Sequence, residues 1–530
     1  MRYLPPESDS GNIEYKLTLS DKNENQERIE ELASQMRYRL FEGNGEAIYY
    51  IGVTDDGIPL GLESTKLKMS LQVLKKVADI AGARTRILRE AQGEEGTIAE
   101  IFVVREKNPN EIPNDIRIAS TGNVDAGKST LIGVLLRGEL DDGRGAARSN
   151  VVRYLHELES GRTSSVSVTV IGYDVRGDIV THDKVHPPTD LEILERSIKT
   201  ITFFDLAGHE RYLKTTVFGL TGLQPNFGML VVAANQGILP MTKEHLGLLI
   251  ALRIPFFVVL TKVDMTPAPV TKKTIESIKK ILKIPGVSKI PMMIDGLDDV
   301  VLASRNIYTG NVIPVFSVSN NKGTGLEYLQ NFLRLLPIKE TQPDRKDDPF
   351  KAYIDDIYSV SGVGTVVTAL VYSGTIAQND FVQIGPFGDG SFKKVRVKSI
   401  QYKRVPTSKA KTGKNYTFAL ARFKKSDVRK GMILLGMDHK PGSVLQFEAD
   451  VYVLYHSTTI KKGYSPVVHV QSIRQSARII NIDRKYLRTG DKAKITFEFM
   501  YRPEYIQEGS RVVFREGRTR GIGIITKLLD

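Results

Sequence analysis

Gly122-Asn123-Val124-Asp125-Ala126-Gly127-Lys128-Ser129-Thr130 is a complete G-x-x-x-x-G-K-[ST] phosphate-binding loop. Its glycines let successive backbone N–H groups converge on phosphate oxygens, Lys128 supplies a point charge, and the Ser129 hydroxyl can ligate Mg²⁺. Ile116 to Ser120 before it reads as a strand and Ser129 to Arg137 after it as a helix, the setting in which such a loop works.

Working outward, strands and helices alternate: Thr200 to Asp205, Gly228 to Ala233, Thr242 to Leu252, Phe256 to Leu260, Thr271 to Leu282, Val312 to Phe316 and Leu326 to Leu335. That order implies a mainly parallel sheet flanked by helices, with ligand groups gathered at the carboxyl ends of its strands. The motifs fall there. In Thr261-Lys262-Val263-Asp264, the Asp264 carboxylate can accept both guanine N–H donors, whereas adenine would leave it facing one amine and an unpaired lone pair. Thr261 offers a hydroxyl where most GTPases have Asn, so a looser grip on base or loop is expected. After Pro314-Val315-Phe316, the segment Ser317-Val318-Ser319-Asn320 is placed to offer backbone N–H groups to guanine O6; a plain serine-rich turn is the alternative.

Asp205-Leu206-Ala207-Gly208-His209 gives D-x-x-G after a strand. Asp205 would hold Mg²⁺ through water, the Gly208 N–H would sense a γ-phosphate, and His209 would orient the attacking water, because phosphoryl transfer asks mainly for positioning and charge neutralisation. Upstream, in Gly161-Arg162-Thr163-Ser164-Ser165, Thr163 is expected to present its hydroxyl to Mg²⁺, with Ser164 as the competing choice.

The flanks differ. Residues 1–110 read as a small α/β domain: strands at Ile13 to Leu19, Ala47 to Gly52, Leu60 to Leu62, Thr85 to Arg89 and Thr97 to Val104, with helices at Glu27 to Leu40 and Lys66 to Ile80. No cluster in it suggests chemistry. The G domain takes 111–340. Beyond the charged linker Lys339 to Asp348 the helical signal stops, and short β-branched runs between Gly turns read as two β-barrels, 341–442 and 443–530.

Charge is uneven. Residues 339–530 hold 34 Lys and Arg against 19 Asp and Glu, while the first 338 hold 40 against 42, so the whole basic excess of the chain (+13) lies in the barrels. A neutral enzymatic half joined to a basic half fits nucleic-acid contact, although cations that merely keep barrels soluble would produce the same count. Phe392-Lys393-Lys394-Val395-Arg396-Val397-Lys398 and Gln401-Tyr402-Lys403-Arg404 favour contact, since alternation lines cations on one strand face. Zero Cys excludes disulfides, thiolate catalysis and Cys-based zinc sites, and eight scattered His suggest no metal cluster. No apolar run is long enough to span a bilayer and the start lacks the apolar core of a signal peptide, so a cytoplasmic protein without a membrane partner is expected.

The chain resembles the translational GTPases, and most closely their GTP-binding protein 1 and 2 branch, related to elongation factor 1-alpha and elongation factor Tu. The resemblance rests on the loop GNVDAGKST, Glu159 to Val166, Asp205 to Gly219, Met241 to Leu248, Tyr358 to Val367 and Val513 to Thr519, collinear over nearly the whole chain. Asn123, Ala207 and Thr261 replace the His, Pro and Asn of the wider family. The resemblance implies binding and hydrolysis of GTP to GDP with Mg²⁺, a monovalent cation seated by Asp125, and Val124 as an apolar gate beside His209. It implies a monomer that binds aminoacyl-tRNA when GTP orders the switches and delivers it to elongating or stalled ribosomes, which trigger hydrolysis. A second reading is a GTP-regulated RNA-decay factor that recruits the exosome to mRNA, with residues 1–110 as docking module; a third is a G domain that no longer turns over.

Overall fold

The computed structural model describes residues 4–8, 11–19, 26–43, 45–106, 113–151, 166–182, 188–284, 287–337, 348–455, 458–516 and 519–529. At the N-terminus, β1 (Ile13–Lys16), α1 (Gln26–Glu42), β2 (Glu46–Ile51), α2 (Ser64–Ala81), β3 (Ala83–Gln92) and β4 (Thr97–Arg105) form a four-stranded sheet in the order β1-β2-β4-β3. Successive side chains on a strand point to opposite faces, and both faces of β2 and β4 are apolar. Ala47, Tyr49, Ile51, Ala99, Ile101 and Val103 pack beneath α1 and α2. Ile48, Tyr50, Ile98, Phe102 and Val104 pack on the opposite side into the core of the next unit. Leu60-Gly61-Leu62, expected as a strand, makes only one bridge, Leu62 to Thr97. Gly61 has φ +88° and a Cβ there would collide with the Gly96 backbone, so the chain loops there.

The central unit carries β5 (Asn114–Gly122), α3 (Lys128–Arg137), β6 (Ser167–Tyr173), α4 (Asp190–Arg196), β7 (Lys199–Asp205), α5 (Leu213–Gly222), β8 (Phe227–Ala233), α6 (Pro240–Ala251), β9 (Phe256–Thr261), α7 (Ala268–Leu282), β10 (Ile290–Met293), α8 (Leu297–Asn306), β11 (Val312–Ser317) and α9 (Leu326–Leu335). Its sheet runs β10-β11-β9-β8-β5-β7-β6, parallel except for β6. Near-continuous apolar strands such as Phe227–Ala233 suit a sheet covered on both faces. The chain leaves β5 for both sides of the sheet, and such a switch point opens a crevice at the strands' carboxyl ends.

Two barrels follow. In the first, β12 (Lys351–Val360), β13 (Gly364–Ser373), β15 (Phe381–Gly385), β16 (Lys393–Tyr402), β19 (Asn415–Leu420) and β20 (Ile433–Gly436) form a ring closed by the β15–β16 pairing. The short strands β14 (Thr375–Ala377), β17 (Val405–Thr407) and β18 (Lys409–Lys411) extend it. The second is a closed barrel of β21 (Gln446–Tyr455), β22 (Val467–Val470), β23 (Ile473–Ile482), β24 (Lys492–Phe499), β25 (Arg511–Glu516) and β26 (Thr519–Leu529).

The alternation expected of β16 holds: Val395 and Val397 are buried while Lys394, Arg396 and Lys398 are exposed. Lys403 departs from that expectation. The chain reverses through Lys403 and Arg404, both at positive φ, and Lys403 turns inward to donate to Asp115, Thr200 and Thr202 of the central unit. It is an interdomain tie and not part of the outer basic face. Lys414 adds a bond to the Pro113 carbonyl, and Leu194 of α4 sits in the core of the first barrel. The second barrel meets the central unit through Val513 and Ile522, and the two barrels are joined by Arg429 and Glu504 at 2.8 Å.

Candidate functional site

At the carboxyl end of β5 a cavity of about 450 Å³ opens. One wall is the phosphate loop, with Val124, Asp125, Gly127, Lys128, Ser129 and Thr130. Gly127, at φ +83°, ends the loop and starts α3, so the first N–H groups of that helix face the cavity. The Lys128 ammonium donates to the Gly122 and Asn123 carbonyls at 3.3 and 2.7 Å. Burial lowers its pKa, against the opposing pull of Asp205 and Asp125. Beneath the loop, the wholly buried His245 accepts the Gly122 N–H on Nδ1 at 2.9 Å.

Ser129 Oγ lies 2.5 Å from Asp205 Oδ2. A hydroxyl and a carboxylate at the mouth of a phosphate cradle are the hard oxygen donors that suit Mg²⁺, which takes few protein ligands and completes its shell with phosphate and water. Among the described residues no group of three or more His, Cys, Asp or Glu could hold a metal ion. Gly208 lines the cavity, and a Cβ there would stand 2.6 Å from Lys128 Nζ, so only glycine lets this backbone approach the loop.

The opposite end is lined by Lys262, Asp264 and Met265 with Asn320 and Asn321. Thr261 stands behind the wall: its Oγ1 donates to the Ala126 carbonyl at 2.7 Å and the Val232 carbonyl at 3.3 Å, tying β9 to the phosphate loop. Its hydroxyl therefore tethers the loop and is not among the groups that line the cavity. The N–H groups of Val318 and Ser319 donate to the Leu260 and Thr324 carbonyls, so neither they nor Ser317 line the cavity. The neighbouring Asn320 does, and its Oδ1 is a buried acceptor with no partner. Of the segment Ser317 to Asn320 only Asn320 lines the cavity, because the turn's geometry decides which of its residues faces inward.

Asn123, Ala126 and Asp205 are not lining residues: the first two offer their carbonyls to Lys128 and Thr261, and Asp205 accepts the Ser129 hydroxyl. His209 stands outside the lining residues, with its Nδ1 accepting the Arg211 N–H at 3.1 Å and its ring edge-on to Tyr212. Thr163 and its competitor Ser164 lie outside the described residues. The wall formed by Asp141, Gly143, Arg144, Gly145 and Arg148 carries no familiar motif and was missed in the sequence.

Three family models match the chain in succession: the elongation factor Tu GTP binding domain over residues 114–360, elongation factor Tu domain 2 over 364–435, and the elongation factor Tu C-terminal domain over 441–529. The chain is 45% identical to GTP-binding protein 1 of Xenopus laevis over 507 residues, covering 95% of this chain and 77% of that protein. The chain belongs to the GTP-binding protein 1/2 family of translational GTPases. Human GTP-binding protein 2 is 42% identical across a 534-residue alignment that covers 99% of this chain and 88% of that protein. In fold, the chain is similar to translation elongation factor SelB of Methanococcus maripaludis in complex with the GTP analogue GppNHp (TM-score 0.56, 20% identity), covering 79% of this chain and 80% of that one. The central unit of this family member is thus an elongation-factor-type G domain, a GTP-binding switch joined to two barrels. Among the described residues no helix is long and apolar enough to cross a membrane.

Proposed function

We propose that this GTPase binds aminoacyl-tRNA in its GTP state and delivers it to ribosomes, hydrolysing GTP on the way. The observation that carries the reading is the convergence of Lys128, Ser129 and Asp264 on one cavity, the groups a guanosine triphosphate would need for its phosphates and its base. In this reading the phosphate-loop N–H groups and Lys128 hold the β- and γ-phosphates, and Asp264 accepts the guanine N–H donors. Ser129, Thr163 and, through water, Asp205 would hold Mg²⁺, and Asp125 a monovalent cation. Mg²⁺ supplies neutralisation of charge on the phosphate oxygens.

His209 completes the reaction. It would leave the Arg211 N–H and turn toward the γ-phosphate side, marked by Gly208, to orient the attacking water, with Val124 as the apolar gate. Positioning of this kind contributes about 10²–10⁴ in rate. The RNA partner is favoured by the outer face of β16, where the Lys394 ammonium lies 4.3 Å from the ring centre of Phe381. A cation beside an exposed ring suits RNA backbone and bases together. Division of the chain near residues 110, 340 and 442 belongs to the same reading.

Protection of the aminoacyl ester of tRNA from hydrolysis tests it, with the protein loaded first with a non-hydrolysable GTP analogue and then with GDP. Protection with the analogue alone supports delivery; equal behaviour in both states removes it.

A further inference from the structure

A wall of the cavity, residues 141–148, is shaped by two adjacent carboxylates. Asp141 accepts the N–H groups of Gly143, Gly145 and Ala147 at 3.0, 3.3 and 3.0 Å. Asp142 accepts those of Arg144 and Ala146 at 2.8 and 3.2 Å. Five donors are turned back onto two side chains, so the segment holds its form without a ligand. It is also braced from outside. The Asp141 N–H donates to the Asn320 carbonyl at 2.9 Å, and the Ala147 carbonyl oxygen lies so close over Gly133 of α3 that any Cβ there would overlap it.

This segment brings Arg144 and Arg148 to the cavity that Lys128 also lines. Arg148 is near enough to Lys128 to disfavour its protonation. Three cations lining one space suit a polyanion, and a guanidinium fork matches two phosphate oxygens at once. A base or a ribose needs neither. The segment is braced at the end of the cavity that holds Asn320 and Asp264, whereas Gly208 marks the far, γ-phosphate end. The phosphates within its reach are those nearest the ribose.

We propose that Arg144 and Arg148 form a second phosphate clamp, closing on the α- and β-phosphates of the guanine nucleotide in addition to Lys128, so that GDP is retained as firmly as GTP. The proposal rests on the nucleotide reading of this cavity. It makes the segment a determinant of nucleotide release, outside the motifs that mark the site.

The test is competition binding of GMP, GDP and GTP to the full chain carrying Arg144→Ala, Arg148→Ala or both, with melting temperature as a check of folding. Loss of charge-assisted bonds predicts affinity for GDP and GTP falling together by about 10- to 100-fold in the double variant, with a smaller loss for GMP. Arg148→Lys should recover only part of the affinity, because an ammonium lacks the fork. Equal losses for all three nucleotides would overturn the clamp in favour of a role in shaping the base end. Loss confined to GTP, or unchanged GDP affinity, would also overturn it. If the unaltered protein binds neither GDP nor GTP and Lys128→Ala changes nothing, the nucleotide reading itself falls, a result distinct from failure of the clamp.

Discussion

Lys403 and Asp115 meet at 2.7 Å, Nζ to Oδ1, in the seam between the first barrel and the G domain, with side-chain exposures of 15% and 6%. Burial raises the Asp115 pKa, but the Lys403 charge and the Thr200 and Thr202 hydroxyls outweigh it and hold the group below the ordinary carboxylate value. Lys403→Met removes the cation and leaves the carboxylate buried, which should cost about 3–5 kcal/mol. The sign with pH follows: a depressed carboxylate contributes stability above its unfolded pKa of about 3.9 and loses it as pH falls through the folded value. The variant should therefore unfold at higher pH in an acid titration followed by fluorescence. An unmoved acid midpoint would remove this pair from the account of the seam.

A second buried tie joins the N-terminal sheet to the G domain. Lys199 Nζ donates to Glu46 at 3.1 Å and to the Arg334 and Leu336 carbonyls at 2.6 and 2.7 Å. Lys199→Met should lower stability by about 3 kcal/mol and raise hydrogen exchange first in β2 and β4. Removal of residues 1–110 would expose the face that receives Tyr50 and Phe102, so the truncated chain is expected to aggregate or melt well below the full one. A truncated protein of unchanged melting temperature would contradict this.

Thr261 and Asp264 should separate in binding experiments. Thr261→Val removes the bond to the Ala126 carbonyl and should weaken GDP and GTP alike by about 5- to 10-fold, the worth of one buried hydrogen bond. Asp264→Asn exchanges acceptor for donor at the base end and should cost more than about 100-fold for GTP while admitting xanthosine triphosphate. Loss of guanine selectivity in Thr261→Val would reassign the base contact.

His209→Ala should leave GTP affinity within about threefold and lower ribosome-stimulated turnover by about 10²–10⁴. In the same variant the turn at Glu210–Tyr212 loses its capping acceptor, a cost of about 1 kcal/mol or less. Single-turnover hydrolysis at saturating ribosome reads the first effect alone, and an unchanged rate takes His209 out of the mechanism.

His245 supplies a pH term at the site. Burial and then the Lys128 charge push its pKa down to about 3, from an ordinary value near 6.5. A folded pKa below the unfolded one gives stability that is complete above about 6.5 and declines as pH falls, by about 2 kcal/mol at pH 5. His245→Asn keeps an acceptor for the Gly122 N–H without titrating, so its unfolding midpoint should be flatter between pH 7 and 5. A parallel slope in both proteins would locate the proton elsewhere.

Much of the fold was legible. Apolar strands alternating with helices announced the parallel sheet, and Val395 and Val397 alternating with Lys394, Arg396 and Lys398 announced the pleat of β16. The apolar runs in Glu46–Ile51 and Thr97–Arg105 also carried a signal, since strands without polar alternation have both faces covered. Nothing local said what covered the second face. The strand expected at Leu60 to Leu62 failed because a close backbone approach at Gly61, a tertiary fact, overrode an apolar pattern.

The residue order by itself determined the family, the phosphate loop and the carboxylate, Asp264, proposed to read the base. These are local chemistry: a run of glycines, a lysine and a hydroxyl work through their own backbone. What only the tertiary structure decided is which polar groups share a space. Lys403 became a seam contact, Thr261 a tether on the loop, and Asn320, Arg144 and Arg148 walls of the cavity, because each is placed by elements distant in the chain whose approach no short stretch encodes.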